Sequence, residues 1–570
     1  MNGKSFLAIA VGTAFLAPGG CVRPGKIDSG LVAQYQRAMA RRGPQRRASA
    51  SGMESLRPVS DGPQLKVVQD PKTGKVQIRL RLDEAVQRAL ANSLDIRVVG
   101  YDPAISWEEV IQAAAEFDTI VFGAFNYGVT DDRTDSAFAG GHSKTRAWSA
   151  GIKQKTITGA TWQLEWAWTR TWDDANFRNF PTRHEPRLQL EITQPLLRDA
   201  WPAVNLATLR VARLNHHQSL AEFRQRVEEI VGEVILTYWE LVRARREVKI
   251  QQSLLDKTRE TLKRIVDRGL IDATKVQIKQ AESAVESRNA VLIRARKTIL
   301  DVQDKLSRLL ADKQINLLSE YEILPTTDPS QVKVELDAKD RLVTALEHNA
   351  VLAQARLAIE VADITVRVAK NQALPRLDLT ASAGLQGLGA TQYEAREQFN
   401  SGDYASYAVG LSLEIPLGNR QRRAEVRRRR LQRLKAITTL QSLADQVAVE
   451  INNGVRQVGT TFQEMRAQRA AVEAARVQLQ ALEDTERIRG RLSPEFLQVK
   501  LQAQEILADA ERAELQAIIE HNAAMTDLDR IAGTILDVHH VKLERALDRR
   551  GLPPALPRAA PARKRLPAKP

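Results

Sequence analysis

The sequence predicts an α+β membrane protein built from two tandem copies of one unit, each a set of strands followed by a long helical hairpin. Three observations carry this. Several runs alternate apolar and polar residues over the nine to eleven positions that a tilted strand needs to cross a bilayer. Between them lie long stretches with apolar residues at three- and four-residue spacing, the helical period. Landmarks also recur at one offset. Pro195 and Pro416 each follow a strand, Gly269 and Gly490 each break a helix, and both pairs are 221 residues apart. Ile230 and Ile451, and Val234 and Val455, keep that offset. Independent landmarks sharing one period mark an internal repeat.

The 570 residues are 43% hydrophobic and 27% charged, enough to bury a large core. The single cysteine, Cys21, excludes a disulfide framework and a multi-cysteine zinc site. The net charge of +15 raises nucleic acid and anionic membrane as partners. Residues 22–50 hold seven Lys/Arg against one Asp, and residues 551–570 hold five against none. The body of the chain is therefore only mildly basic, which argues against a nucleic-acid-binding surface on the fold.

Taken in order, residues 1–21 read as a secretory signal: Lys4, an apolar run from Phe6 to Ala17, then small residues before Cys21. Ala17-Pro18-Gly19-Gly20-Cys21 is similar to a bacterial lipobox, with Pro18 as a departure, so Cys21 is a candidate lipidation site. Plain cleavage near Ala17 is the alternative. Residues 22–76, rich in Arg, Pro, Gly and Ser, read as a flexible basic tether. The first repeat spans 77–311: a helix over 82–115, strands within 117–194, and a helical hairpin over 203–310. Pro325 and Pro329 mark residues 312–336 as a connection. The second repeat spans 337–535: a helix to 371, strands within 376–415 split by a Gly-rich loop, and a hairpin over 418–531. Residues 536–570 form a Pro/Arg/Ala-rich tail.

Trp162, Leu164, Trp166 and Trp168 alternate with Thr161, Gln163, Glu165 and Ala167; Leu188–Ile192 and Tyr407–Ile415 alternate likewise. A wall with lipid on one side and water on the other fits this pattern, and so does a soluble antiparallel sheet with one wet face. The export signal and the tryptophans favour the membrane. The second repeat offers two strands; the first offers two, near 117–129 and 185–194, plus a further hairpin, 147–155 and 161–171, around Thr158-Gly159. Four to six strands cannot enclose a pore, and a sheet cannot leave its edges in lipid. A barrel then requires several copies of the chain.

No enzyme signature is found: no Walker A loop, Gly-x-Ser-x-Gly or His-Glu-x-x-His. His216 and His217 are adjacent, leave a helix on different faces, and read as surface histidines. No metal and no cofactor are expected.

Leu82-Asp-Glu-Ala-Val-Gln-Arg-Ala-Leu, Gln194-Pro-Leu-Leu, Arg268-Gly-Leu-Ile-Asp272, Ala373-Leu-Pro-Arg-Leu, Val409-Gly-Leu-Ser-Leu-Glu-Ile-Pro-Leu-Gly418 and Arg489-Gly-Arg-Leu-Ser493 form an ordered set. In order and spacing it resembles the TolC-type outer-membrane efflux channels over about residues 80–535. The resemblance implies a homotrimer with a β-barrel in the outer membrane and an α-helical tunnel in the periplasm. The implied partners are a periplasmic adaptor, an inner-membrane transporter and outer-membrane lipid, with no nucleic acid. It makes Arg268, Gly269, Leu270, Ile271 and Asp272, with Arg489, Gly490, Arg491, Leu492 and Ser493, the tips where the adaptor docks. Packing of Ile271 and Leu492 against the neighbouring hairpin is the alternative. Pro195, Pro375 and Pro416 fall at the barrel–tunnel junction.

The chain departs from the archetype in two ways. The extra hairpin would give 18 strands per trimer in place of 12. Where the archetype carries aspartate rings beyond its second tip glycine, this chain has Phe496 and Val499, and Lys275 holds the comparable place in the first half. A hydrophobic or basic constriction is expected there. The functional reading is a passive exit duct for small molecules or protein cargo. The alternative is a non-conducting, lipid-tethered periplasmic coiled-coil scaffold.

Overall fold

The structure, a computed structural model, describes residues 66–69, 76–133, 140–175, 179–268, 275–312, 315, 321–489 and 493–539. The signal segment with Cys21, the tail beyond 539, and Gly269, Leu270, Ile271, Asp272, Gly490, Arg491 and Leu492 lie outside the described residues.

Two sheets are present among the described residues. The larger is a meander of β3 (Ile120–Asp131), β4 (His142–Lys155), β5 (Thr161–Asp173), β6 (Thr182–Pro195), β8 (Arg376–Gln386) and β9 (Ala405–Glu414), in that spatial order. Every neighbouring pair is antiparallel. The first repeat therefore supplies four strands and the second two. β4 and β5 are the additional hairpin, turning through Thr156–Ala160 with Gly159 at φ +92°.

The helical part consists of two hairpins and the shorter helices laid against them. The first hairpin is α4 (Ala207–Arg268), preceded by the short α3 (Pro202–Asn205), and α5 (Lys275–Leu310). The second is α9 (Arg420–Arg489) and α10 (Pro494–Ile531). At 70 residues, α9 is about 105 Å long. α1 (Leu82–Asn92) and α2 (Leu94–Ala114) pack on the first hairpin; α6 (Ala338–His348) and α7 (Ala350–Gln372) pack on the second. The remaining helices are α8 (Gln392–Ser401) and α11 (Ile535–Val538).

The repeat is visible in the packing. Ile230 and Ile451, 221 residues apart, are both buried, each in the core of its own repeat. The larger core gathers Phe223, Val227, Val234 and Tyr238 of α4 with Leu306, Leu309 and Leu310 of α5 and Leu82, Val86 and Leu90 of α1. Burying one such aliphatic side chain is worth roughly 1.5–3 kcal/mol, so this cluster is the chief anchor of the helical part.

The smaller sheet differs from expectation. β1 (Lys66–Gln69) lies inside the stretch read as tether, and β7 (Tyr321–Pro325) inside the stretch read as a connection. β1 pairs antiparallel with β2 (Val76–Leu80), and β2 pairs parallel with β7. The pairing buries Ile78, Leu80 and Ile323 in the main core. The Gln303 side chain donates to Tyr321 O at 2.8 Å and accepts from Ile323 N at 3.0 Å, giving β7 the hydrogen bonds of a further strand.

Three more expectations need correction. The helices expected over 82–115 and 337–371 are each broken once, at Ser93 and Asn349. Asn349 caps α7 by accepting from Val351 N and Leu352 N, and donates to Ile531 O at 3.0 Å, so the break ties α7 to the end of α10. The Gly-rich loop between β8 and β9 contains α8, started by Thr391 and ended by Gly402 at φ +71°. Of the two histidines read as surface residues, His217 is exposed but His216 is buried, 3.0 Å from Ser106 Oγ and against Trp107. Burial, and secondarily the neighbouring His217, pushes its pKa below the ordinary value.

Candidate functional site

The six-stranded sheet has two chemically distinct faces, and register assigns every side chain to one of them. Val121, Phe125, Trp148, Ala150, Ile152, Trp162, Leu164, Trp166, Trp168, Leu188, Leu190, Ala381, Ala383, Tyr407 and Val409 share one face. Five of the eight tryptophans lie in β4 and β5, all at even positions and so all on this face. The opposite face carries Ser149, Lys153, Gln163, Glu165, Thr169, Gln189, Glu191, Thr380, Ser382, Ser406 and Ser412. Large apolar groups on the first face are uncovered: Val121 is 77% exposed, Val409 74% and Tyr407 87%. Among the described residues, β3 and β9 each have a strand partner on one side only and form the edges of the sheet.

Below the sheet the chain passes into the helices through a dense junction. Pro195 is the last residue of β6, Pro375 immediately precedes β8, and Pro416 follows β9. Leu196 N donates to Leu377 O at 2.8 Å and Asp199 N to Asn371 Oδ1 at 2.8 Å. Asp199 and Trp201 adopt positive φ, 62° and 78°, so the backbone turns sharply between strand and helix. The additional hairpin is fastened at the same place. Trp201 N donates to Thr158 O at 3.2 Å and Asn205 Nδ2 to Asp199 O at 2.8 Å, while a Cβ on Gly159 would lie 2.4 Å from Asp199 O. Glycine is required there both by φ and by that close approach.

At the far ends of the hairpins, Arg268 closes α4 and Arg489 closes α9. Ser493 caps α10, accepting from Phe496 N at 3.2 Å. The two ends are held side by side by Ile265, Ala281, Leu497 and Leu501. Lys275 opens α5 and is exposed; Phe496 is half-buried, and Val499 is 45% exposed. Among the described residues no hydrogen bond, ion pair or buried apolar cluster joins Lys275, Phe496 and Val499. Near these ends Ile488 is 81% exposed and Val276 74%. Sequence reasoning passed over both, because each sits within a helical period whose outward side is fixed only by packing.

One buried charge cluster braces the hairpins against each other. Arg288 of α5 donates to Leu501 O at 2.7 Å and Gln504 Oε1 at 3.1 Å on α10, and also to Thr258 of α4. Burial depresses the guanidinium pKa and Glu505 opposes that shift.

Residues 342–534 match the family model described as outer membrane efflux protein. The match falls within the second repeat and covers about a third of the chain. The first repeat lies outside that match, and its helical hairpin carries the same landmarks at the 221-residue offset. No curated protein matches the chain in sequence. Among solved structures, the Vibrio cholerae outer membrane protein VceC is similar at 19% identity and a TM-score of 0.58, over 79% of this chain and 96% of its own. The Campylobacter jejuni CmeC outer membrane channel is 14% identical with a TM-score of 0.57, over 80% and 86%. The open state of the Neisseria gonorrhoeae MtrE outer membrane channel is 15% identical with a TM-score of 0.58, over 80% and 89%. The chain thus shares the fold of these outer-membrane channels.

Proposed function

We propose that the protein is the outer-membrane exit duct of a multi-component export system, working as a homotrimer. The observation that carries this is the six-stranded meander with one apolar face, one polar face and two open edges, set directly on the long helical hairpins. Open edges in lipid cost several kcal/mol for each unsatisfied backbone group, so β9 of one copy pairs with β3 of the next until the sheet closes. Three copies give eighteen strands. Barrel diameter grows roughly linearly with strand number, so this duct is about half again as wide as one of twelve strands. The polar face lines the lumen; the helices continue it through the periplasm. The chain is a passive conduit, with energy supplied by an inner-membrane transporter, and Cys21 as a lipidated anchor adds membrane affinity. The scaffold reading leaves the uncovered tryptophan, valine and tyrosine face without a role. An electron-microscopy map of the detergent-purified trimer tests the duct, with planar-bilayer conductance beside it. Eighteen strands and ohmic conductance are expected; twelve strands would remove β4 and β5 from the barrel, and a soluble non-conducting particle would support the scaffold.

The tips are assigned to a periplasmic adaptor. In sequence, Gly269, Leu270 and Ile271 follow α4 and Gly490 and Leu492 follow α9, and the flanking Val276 and Ile488 are apolar and exposed, which supports a partner surface at these ends. Leu270→Asp combined with Leu492→Asp is expected to leave the trimer and its conductance intact while abolishing export in cells. Loss of the trimer would instead place these residues in hairpin packing, and unchanged export would remove the docking role.

A further inference from the structure

The apolar face of the sheet carries a feature that transport does not use. Moving along it away from the helices, the row Phe125, Trp148, Trp168 and Pro186 is followed by the row Tyr127, Arg146, Arg170 and His184, residue directly opposite residue across four strands. The next row is Val129, Lys144, Trp172 and Thr182. Three cations therefore sit on the face that carries the tryptophans, interleaved with aromatic rings. Arg146 lies over the Tyr127 ring and Lys144 over the Trp172 ring, each 5.6 Å from the centroid. Aromatic rings of this kind gather at the level of lipid headgroups, which places the cations at that level too.

Arg146 and Arg170 are a directly opposed cross-strand pair, and like charges in that position repel. On the inner face the comparable cation is neutralised: Arg183 is paired with Asp173 and with Glu185 at 3.1 Å. On the outer face no carboxylate among the described residues lies within 4.0 Å of Arg146, Arg170 or Lys144. A repelling pair kept at a lipid interface without a protein counter-ion calls for an anion from the lipid. β4 and β5 are interior strands, so closure of the barrel through β3 and β9 leaves this patch uncovered.

We propose that Arg146, Arg170 and Lys144 form a binding site for the phosphate groups of an outer-leaflet glycolipid. The two guanidinium groups supply paired donors that match a phosphate, Lys144 adds a point charge, and Trp148, Trp168 and Trp172 contact the acyl and sugar portions. The site is carried by the additional hairpin, so that hairpin brings lipid recognition as well as circumference. This rests on the outer-membrane reading above.

The test uses the full-length trimer in detergent, with native mass spectrometry of bound lipid against three probes: bisphosphorylated lipid A, the same lipid A with its phosphates removed, and phosphatidylglycerol. The wild type is expected to bind the bisphosphorylated form at least tenfold more tightly than either other lipid. Arg146→Gln with Arg170→Gln should erase that preference, while Arg146→Lys with Arg170→Lys should retain part of it. Equal binding of all three lipids by the wild type overturns the site whether or not any variant folds. So does equal affinity for phosphatidylglycerol alone, or a preference that survives the double glutamine change. Bilayer conductance of the same preparations separates the two readings. A wild type that neither trimerises nor conducts defeats the channel, whereas a conducting trimer without lipid preference defeats only the glycolipid site.

Discussion

Trp166→Arg is expected to destabilise the membrane-inserted protein by about 2–4 kcal/mol, the cost of an arginine on the lipid face near the bilayer midplane. Trp166 stands opposite Ala150 and Leu188, and that row runs on to Leu385, apolar from β4 to β8. Unlike Arg146 and Arg170, it has Trp168 between it and the outer rim, so an arginine here has further to reach for a headgroup. Glu165→Gln, one residue away, lies on the polar face beside Gln163, whose side chain donates to Glu165 Oε2 at 3.2 Å, and should be nearly silent. Urea unfolding of the trimer in lipid vesicles reads both. Equal midpoints for the two variants would mean that the even positions of β5 do not face lipid.

The other large effect is expected in the helical part. Arg88 of α1 pairs with Asp312, just beyond α5, and both side chains are buried, 2% and 7% exposed. They lie at the main core, where the small sheet, α1 and the end of α5 meet. Breaking a buried ion pair by removing one partner typically costs about 3–5 kcal/mol. Arg88→Ala should therefore destabilise the protein by about that much, while Arg88→Met with Asp312→Leu should recover most of the loss. Helical circular dichroism during urea unfolding of the purified trimer measures both. A loss below about 1 kcal/mol for Arg88→Ala would show that the pair contributes little to holding the junction between the small sheet and the hairpin.

The parts of this architecture that were legible in the sequence are those written in short-range periodicity or in the internal offset. β8 coincides with the alternation over 376–386, and β9 with that over 405–415 to within a residue. The 221-residue offset anticipated the pairing of Ile230 with Ile451 in equivalent cores. The features that escaped depend on contacts distant in sequence. β2 meets β7 through partners such as Ile78 and Ile323, and nothing local to either strand announces a parallel neighbour. His216 is buried because Ser106 and Trp107, on another helix, reach it. The row of Arg146 and Arg170 exists only once the register of β4 against β5 is known, since in sequence the two residues are unremarkable members of separate strands. The break at Asn349 is different: an asparagine ahead of a helical run is an N-cap signal that pattern reading alone could have used.

The open edges at β3 and β9 also constrain how the protein reaches its site. In the trimeric duct proposed above, a single copy would have nowhere to hide those backbone groups in hydrocarbon, so insertion and oligomerisation would be one event rather than two in sequence. The rate of biogenesis then depends steeply on the local concentration of chains awaiting insertion. A defective edge spreads its damage in the same way. In a cell making equal amounts of normal chain and a chain unable to pair through β9, only about one trimer in eight assembles from normal copies throughout. An edge-strand allele is therefore dominant over the wild type, whereas an allele that changes only the tips yields mixed trimers that still span the membrane.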